Sequence, residues 1–272
     1  MLKPDATIDR SEKSQVFFRR GNFKSRNQYI KLMAIMSSGL YVLLSALGET
    51  VNPAVVPTDS SKSVLGLWHF DEGEGLKAKD SSGNNNNLTL QNTAWTDGKL
   101  GKCLVFDGKK SCAVIHRTSS SLFSKSEFTV SAWIKPAKLR TAMEIINAGA
   151  NDRGPGYRLF MAWNMLFFRT GNGSTYWGVK IPSPFLLVTE YDNWHHVAVT
   201  FKNGKYRIYL DGVMKKEAEG QDVVSGGKIF TIGAYHGQHY FFKGLIDEVE
   251  ILQRAKTEEE ILRDARLVEN DQ

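Results

Sequence analysis

The chain has 272 residues, of which 42% are hydrophobic and 24% are charged, a composition that excludes disordered, collagen-like and polytopic membrane classes. Most of the net charge of +6 comes from residues 1–31, which hold eight Lys or Arg and three Asp or Glu. The remainder holds 27 basic and 26 acidic residues, so a nucleic-acid partner is not expected.

The first 48 residues have the layout of an export signal. Residues 32–48 are seventeen uncharged residues that directly follow Lys24, Arg26 and Lys31. This stretch is short for a bilayer-spanning helix, which needs about 20 apolar residues, and is typical of a signal peptide. Thirty residues before an apolar core are long for a signal peptide, so an uncleaved signal anchor is the alternative. We predict a helical leader over residues 1–48, a secreted, periplasmic or cell-surface location, and no other membrane contact.

Residues 49–63 are predicted to be a linker, because they contain two prolines and small polar residues without a hydrophobic period. About eleven short runs rich in Val, Ile, Phe, Tyr and Trp follow between residues 64 and 256, separated by turn-forming clusters. This spacing predicts an all-β sandwich of two antiparallel sheets. In residues 257–272, Thr257 and Glu260 have the spacing of a capping box at the start of a short helix.

Two of the runs, residues 128–134 and 194–201, alternate a hydrophobic row with a row of aromatic and polar side chains. Asn203-Gly204 and Asp211-Gly212 flank one further run and predict two consecutive hairpins. Stacked sheets would bury the hydrophobic rows against each other and leave one outer row on a curved surface. We expect such a row to be able to form a binding face.

Several segments together resemble the laminin G-like, concanavalin A-like jelly-roll module. They read GLWHFDEGEG, DSSGNNNNLTL, GKLGKCLVFDG, FTVSAWIKP, NWHHVAVTFKNGKYRIYLDG and IGAYHGQHYFFKGLIDEVEIL, and the resemblance runs from about Val64 to Leu252. It implies two stacked antiparallel sheets with a concave face, and a first strand that lies beside the last. It also implies a non-catalytic role in binding carbohydrate or protein.

The resemblance further implies a structural calcium ion near Asp80 and Asp247. Residues 80–87 read DSSGNNNN, a loop that offers the carboxylate, amide and main-chain oxygens that calcium prefers. We predict Asp80, Asn84 and Asp247 as the metal site, on the condition that the terminal strands are neighbours. The alternative is a polar turn made of residues that tolerate a positive φ.

Residues 247–250, which read DEVE, are the candidate for catalysis. The jelly-roll glycosidases that this fold resembles place acidic residues at alternate positions of one strand, so that a nucleophile and a general acid point into one cleft. Strand alternation here puts Leu245, Asp247 and Val249 on one face, and two of the three positions are apolar. We therefore predict that the protein is not an enzyme.

Aromatic residues give the clearer functional clue, because sugars present apolar C–H faces to stacking rings. Two groups of rings lie near polar residues in the sequence: Trp163, Tyr176 and Trp177 with Asn164, Arg169 and Asn172, and Tyr235 and Tyr240 with His239. We predict Trp177, Tyr235, His239 and Tyr240 as ligand-binding residues, with burial in the core as the alternative for each ring. The predicted function is glycan binding. A protein-adhesion or envelope module is the alternative, and a glycoside hydrolase or lyase is less favoured.

Cys103 and Cys112 flank the turn of one predicted hairpin. In an exported protein, such a pair can form a disulfide if the two Cα atoms lie within about 7 Å. We predict a Cys103–Cys112 bond, and two buried free thiols are the alternative.

Overall fold

The structure is a computed structural model that describes residues 63–116, 126–138, 141–149, 155–163, 165–172, 174–181, 191–223 and 229–267. The predicted leader and nearly all of the predicted linker lie outside these residues. Over the described ranges, no helix has both the length and the apolar character that crossing a bilayer requires.

Short strands make up most of the described residues, and one helix follows the last of them. The strands are β1 (Val64–Trp68), β2 (Lys77–Ala78), β3 (Leu88–Gln91), β4 (Ala94–Asp97), β5 (Lys102–Asp107), β6 (Cys112–His116), β7 (Phe128–Pro136), β8 (Met143–Ala148), β9 (Gly156–Ala162), β10 (Met165–Gly171), β11 (Tyr176–Ile181), β12 (His195–Lys202), β13 (Lys205–Leu210), β14 (Val213–Glu219), β15 (Ile229–Ile232) and β16 (Lys243–Leu252). The helix is α1 (Glu258–Asp264).

The strands pair antiparallel in two sheets of eight. Sheet 1 has the order β14-β13-β12-β7-β16-β5-β4, with β1 also paired to β16. Sheet 2 has the order β11-β10-β9-β8-β15-β6-β3-β2. In the β1–β16 pair, Leu67 lies opposite Glu250. The predicted two-sheet sandwich, with its first and last strands side by side, is therefore confirmed.

Aromatic rings from both sheets meet in the core between them. Phe128 of sheet 1 stacks on Tyr157 of sheet 2 at 5.9 Å between ring centroids and lies 5.7 Å from Phe168. Trp68 stacks on Phe230 in the same way at 5.3 Å. Rings of this size bury about 150–250 Å² each and dominate the packing energy of a core, so these contacts hold the two sheets together.

The predicted hairpins on either side of β13 are confirmed. Asn203 and Gly204 both have positive φ values, 51° and 75°, in the two-residue turn between β12 and β13. Asp211 and Gly212 do the same, at 51° and 78°, between β13 and β14. Asn-Gly and Asp-Gly are favoured here because the tight turn that matches strand twist requires positive φ at both central residues.

The capping box at the start of α1 is also present. Glu260 N–H donates to Thr257 Oγ1 at 3.2 Å, and Thr257 N–H donates to Glu260 Oε2 at 2.8 Å. The helix buries Ile261 completely, against Ala198 and Tyr209 on the outer face of sheet 1. The C-terminal helix therefore acts as a cover for this sheet.

A polar and aromatic row lies on the same outer face of sheet 1. Asp247 is opposite Trp133, and Trp133 is opposite His196, in three neighbouring strands of sheet 1. All three side chains are at most 5% exposed, and Asp247 Oδ2 accepts the N–H groups of Lys99 and Leu100 at 2.8 and 3.1 Å. We call this outer face of sheet 1 the covered face; its residues are Trp133, His196, Ala198, Tyr209 and Asp247.

The disulfide prediction is wrong, because the hairpin that it assumes does not form. Cys103 lies in β5 of sheet 1 and Cys112 lies in β6 of sheet 2, so the chain crosses from one sheet to the other between them. Both cysteines are free and fully buried. Burial raises the pKa of the Cys103 thiol to about 12 and also raises the pKa of Cys112, so burial disfavours the reactive thiolate form of both.

Candidate functional site

The outer face of sheet 2 carries an uncovered patch of rings and arginines. Strand alternation turns Tyr157, Leu159 and Met161 of β9 into the core, and its other residues outward. The register of β9 and β10 then sets outward residues of the same kind opposite each other, Arg158 with Arg169 and Phe160 with Phe167. We call the resulting set the open patch; its residues are Arg158, Phe160, Trp163, Phe167, Arg169, Tyr176 and Tyr240.

Two stacked phenylalanines form the floor of the open patch. The rings of Phe160 and Phe167 lie 5.0 Å apart and only 8° from parallel, and each residue is about 95% buried although it faces outward. The guanidinium of Arg169 lies over both rings, at 5.4 and 5.5 Å, and over Tyr176 at 5.2 Å. These contacts hold the planar cation in one orientation at the surface.

A buried ion pair anchors one end of the open patch. Arg158 donates from Nε and Nη2 to the two oxygens of Glu144 at 3.0 and 2.6 Å, and the side chains are 3% and 0% exposed. The Arg158 guanidinium also lies over the rings of Phe160 at 4.3 Å and Tyr235 at 4.4 Å. Such a paired, fork-on-fork geometry fixes Arg158 as a structural support of the patch.

An exposed tryptophan and a small cavity complete the open patch. Trp163 is 78% exposed and sits in the two-residue turn between β9 and β10, with its ring edge against Phe167 at 6.2 Å. A cavity of about 290 Å³ lies beside it, at the small end of the range for ligand pockets. Its lining within the described ranges is Thr141, Ala142, Arg158, Phe160, Ala162, Trp163, Arg169 and Tyr240.

Trp163 has an unusual backbone conformation for its type. Its φ is +50°, in the left-handed region that costs most L-residues about 1–2 kcal/mol and that Asn, Asp or Gly normally occupy in this turn. A bulky ring held in such a conformation and exposed to solvent does not serve stability. Backbone strain of this kind concentrates at functional sites.

The predicted loop residues lie next to the open patch. Tyr235 and His239 exchange two main-chain hydrogen bonds, at 2.8 and 3.2 Å, and so form a tight turn. Tyr240, 46% exposed, lines the cavity and lies 5.8 Å from the Tyr235 ring. His239 is exposed beside Tyr240 but is not part of the cavity lining. The structure therefore brings Tyr235 and Tyr240 to the site.

Trp177, which was also predicted to bind a ligand, points towards the core and not towards the open patch. It is partly buried against the core between the sheets, whereas its neighbour Tyr176 is 52% exposed and contacts Arg169. The sequence names both rings but does not fix which of the two faces outward. The structure also adds Arg158, Glu144 and the Phe160–Phe167 stack. The outward row of β9 and β10 is the sequence signal that could have found Arg158, Phe160 and Phe167, whereas Glu144 lies in β8.

Asp80 organises the predicted metal loop through main-chain hydrogen bonds. Its Oδ1 accepts the N–H groups of Leu67 and Ser82 at 3.1 and 2.9 Å, and its Oδ2 accepts that of Asn86 at 2.9 Å. Asn84 donates from Nδ2 to the carbonyl of Val64 at 2.8 Å. The loop is therefore fastened to β1 by its own polar side chains.

Asp80 and Asp247 bind different parts of the chain. The Leu67 N–H that binds Asp80 points away from β16, so β1 lies between Asp80 and the strand of Asp247. Asp247 instead binds Lys99, Leu100 and Glu248 through main-chain N–H groups. Ligands of one calcium ion lie within about 5 Å of each other, less than the distance across an intervening strand requires. This geometry speaks against one ion shared by all three residues, and the calcium site of Asp80, Asn84 and Asp247 itself stays a prediction.

The carboxylates of β16 also fail to form a catalytic group. A bulge at Glu248, which has a φ of +47°, shifts the register and turns Val249 into the core while Asp247 stays on the covered face. Glu248 pairs with His69, with the shortest contact at 2.8 Å, and the hydrogen bond raises the pKa of the histidine. Burial raises the pKa of Asp247 to about 7, but three main-chain N–H groups donate to its oxygens.

A two-sheet antiparallel sandwich with crossing connections between its sheets is a jelly-roll, the class to which many lectin and laminin G domains belong. The family model described as the concanavalin A-like lectin/glucanases superfamily matches residues 107–262, more than half of the chain. The chain belongs to this superfamily. No curated protein matches its sequence significantly.

Solved structures share the fold at low sequence identity. Domain 4 of AbnA, a GH43 extracellular arabinanase from Geobacillus stearothermophilus in complex with arabinotriose, is 24% identical with a TM-score of 0.59, over 75% of this chain and 98% of that one. The binding domain of Paraclostridial Mosquitocidal Protein 1 is 17% identical with a TM-score of 0.60, over 76% and 52%. The binding domain of botulinum neurotoxin DC in complex with rat synaptotagmin II is 14% identical with a TM-score of 0.58, over 76% and 52%. The chain spans about half the length of the two toxin domains.

Proposed function

We propose that the protein is a non-catalytic binding module and that the open patch binds a glycan. The observation that carries the proposal is the exposed ring of Trp163 beside a small cavity that Arg169 and Tyr240 also line. A sugar presents C–H faces to rings and hydroxyl groups to fixed donors, and the open patch offers both within one cavity. The arabinotriose complex of a similar domain supports a glycan as the ligand class.

The composition of the cavity supports a binding role without catalysis. A retaining glycosidase needs two carboxyl groups about 5–5.5 Å apart at the scissile bond. None of the described lining residues is an Asp or Glu, and the nearby Glu144 is fully buried against Arg158. Among the described residues, the cavity therefore has no acid and nucleophile pair.

A glycan array tests the proposal, with Trp163→Ala as the key variant. We expect the wild type to bind a restricted set of sugars and Trp163→Ala to bind them at least tenfold more weakly, because the stacking surface is lost. Leu76→Ala is the matched control, since Leu76 is an equally exposed apolar side chain (72%) outside the patch. Equal binding by Trp163→Ala and wild type would place the ligand elsewhere and overturn the proposal.

A protein partner is the second candidate, because exposed rings and arginines are also enriched at protein interfaces. The complex of a similar toxin domain with synaptotagmin II supports this class. The same array separates the two candidates. A protein-adhesion module would show no sugar selectivity, whereas a glycan-binding module would lose selective binding when Trp163 is changed.

A calcium ion at residues 80–87 and an extracytoplasmic location complete the proposal. Asp80 Oδ2 accepts one hydrogen bond and keeps a lone pair for a cation, while Oδ1 accepts two. An ion bound only by the folded state would raise the unfolding temperature in calcium above that in chelator. If calcium and chelator gave the same unfolding temperature for the wild type, as for Asp80→Asn, the protein would not bind calcium at this loop.

A further inference from the structure

We propose that the open patch, acting as the glycan site proposed above, selects an acidic sugar of the uronic acid class and that Arg169 binds its carboxylate. The basis is a difference between two arginines in neighbouring strands. Arg158 and Arg169 lie directly opposite each other in β9 and β10, and each carries one positive charge. Like charges in this position repel, so each needs a counter-ion or an exposed position.

Arg158 has its counter-ion within the protein. Glu144 accepts two hydrogen bonds from it, and the pair is almost completely shielded from solvent. This arginine is therefore neutralised and is held as a support. A ligand anion would gain little from it, because the Glu144 carboxylate already occupies its fork.

Arg169 has no carboxylate partner among the described residues. Its contacts are the faces of Phe160, Phe167 and Tyr176, which orient the guanidinium plane and leave the N–H groups at its edge for another acceptor. The residue opposite it on β11 is Gly178, which has no side chain to lie over the cation. The arginine is thus fixed in orientation and partly open to solvent.

The surroundings of Arg169 add positive charge without adding an anion. Lys180, opposite Phe167 on β11, is exposed and forms no ion pair with the residues that the structure describes. With Arg158 balanced by Glu144, Arg169 and Lys180 add two positive charges that have no carboxylate partner among the described residues. Charge complementarity therefore favours an anionic ligand over a neutral one.

The shape of the site favours a sugar carboxylate as that anion. Arg169 and Trp163 line the same cavity of about 290 Å³, so one ligand can place a ring face on the tryptophan and a planar anion at the arginine. A carboxylate matches the planar guanidinium fork with two parallel hydrogen bonds. A uronic acid residue joins both features in one unit, an apolar C–H face and a carboxylate.

Calorimetric titration with matched oligosaccharides tests the inference. The probes are a galacturonic acid trisaccharide, the same trisaccharide as its neutral methyl ester, and a glucuronic acid-containing disaccharide with and without sulfate groups. We expect the wild type to bind at least one carboxylate form ten times more tightly than its neutral or methyl-ester form, and added salt to reduce the difference. Sulfate groups are not expected to be required.

The variants separate the role of Arg169 from a general effect of charge. Arg169→Gln should bind the acidic and neutral forms equally, because it removes the cation and leaves Trp163 in place. Arg169→Lys should keep part of the preference for the acidic form over the neutral form. It replaces Arg169→Gln as the test variant if Arg169→Gln fails to fold. Lys110→Gln is the matched control, since it removes one exposed positive charge in the Asp107 turn, outside the patch.

Each outcome bears on one claim. Equal binding of the acid and its methyl ester by the wild type overturns the inference and leaves the glycan-binding proposal standing. Binding of sulfated probes alone overturns the choice of a carboxylate. An acid preference that survives Arg169→Gln overturns the role of Arg169. Absence of sugar binding both here and on the array overturns the proposed function itself.

Discussion

The two outer faces of the sandwich use similar side chains under different conditions. On the covered face, α1 and residues 98–101 lie over the strands, and Trp133 is only 5% exposed. On the outer face of sheet 2, Trp163, Tyr176 and Tyr240 are between 46% and 78% exposed. Both faces hold a buried carboxylate, but Asp247 is satisfied by main-chain N–H groups and Glu144 by an arginine.

This difference shows which aromatic side chains the fold itself explains and which ones call for a ligand. The protein itself covers the aromatic row of sheet 1, so that row is accounted for by stability. Large exposed rings beside a cavity have no such account within the described residues, and contiguous exposed apolar surface usually marks an interaction site. The covered face should therefore respond to substitution through stability, and the open patch through binding.

The largest expected effect on stability comes from Glu144, which lies beside the open patch and not on the covered face. Glu144→Gln keeps the size of the side chain but removes the negative charge that the 3%-exposed Arg158 binds. We expect the free energy of unfolding to fall by about 4 kcal/mol, measured by urea unfolding. The double variant Glu144→Gln/Arg158→Met should recover most of the loss, because the buried cation is removed together with the buried carboxylate.

Glu127→Gln is the control for this prediction. The Glu127–Lys202 pair is 37% and 47% exposed, so its loss should cost less than about 1 kcal/mol. A similarly small loss for Glu144→Gln would mean that water reaches Arg158. The open patch would then lack the rigid support described above.

On the covered face, the attachment of α1 should depend on Ile261. Ile261→Ala removes a fully buried side chain from between Ala198 and Tyr209. We expect a loss of about 3 kcal/mol in unfolding free energy and unchanged glycan affinity. Ile261→Val should lose about 1 kcal/mol. A change in glycan affinity in either variant would show that the two faces are coupled, against the separation argued here.

The sequence predicts the local features of this fold well. The Asn203 and Asp211 hairpins and the Thr257 capping box depend only on neighbouring residues, and the structure has all three. The predicted runs do not include β2, β3, β4 or β8, and β14 was indicated only by the Asp211-Gly212 turn before it. β8 is buried along its whole length and shows no alternation, while β14 is an exposed edge strand without a hydrophobic row.

The site was harder to predict, because it depends on contacts between distant parts of the chain. The choice between Tyr176 and Trp177 depends on the phase in which β11 pairs with β10. The Glu144–Arg158 pair depends on the packing of β8 against β9, and the separation of Cys103 from Cys112 on a crossing between sheets. Which outer face stays open depends on where α1 packs, and no local pattern encodes that.

Two opposed titrations are expected on the covered face. Burial raises the pKa of Asp247 to about 7, so between about pH 4 and pH 7 the folded state binds a proton that the unfolded state releases, and stability rises as pH falls. Burial lowers the pKa of His196 to about 4, so the unfolded state binds the proton first and stability falls as pH drops from about 6.5 to 4. The opposite charges of Asp264 and Lys256 act on His196 in smaller, opposing ways.

Single variants should expose each titration. From pH 7 to pH 5, Asp247→Asn should lose about 2 kcal/mol relative to wild type, and His196→Phe should gain about 2 kcal/mol. Urea unfolding at pH 5, 6 and 7 measures both, and the double variant should follow the wild-type profile. Parallel profiles for wild type and Asp247→Asn would show that Asp247 is ionised in the folded protein at pH 5.

The smallest expected change in stability, at Trp163, is the sharpest test of the contrast between the faces. Trp163→Asn places a residue favoured at positive φ in the turn between β9 and β10, so the free energy of unfolding should rise by up to about 1 kcal/mol. Glycan binding should weaken at least tenfold at the same time, since the ring is lost. Trp163→Ala should lose binding without gaining stability, because alanine keeps the strained conformation. A variant Trp163→Asn that is both less stable and fully able to bind would mean that the ring serves the fold, and that the open patch differs from the covered face only in exposure.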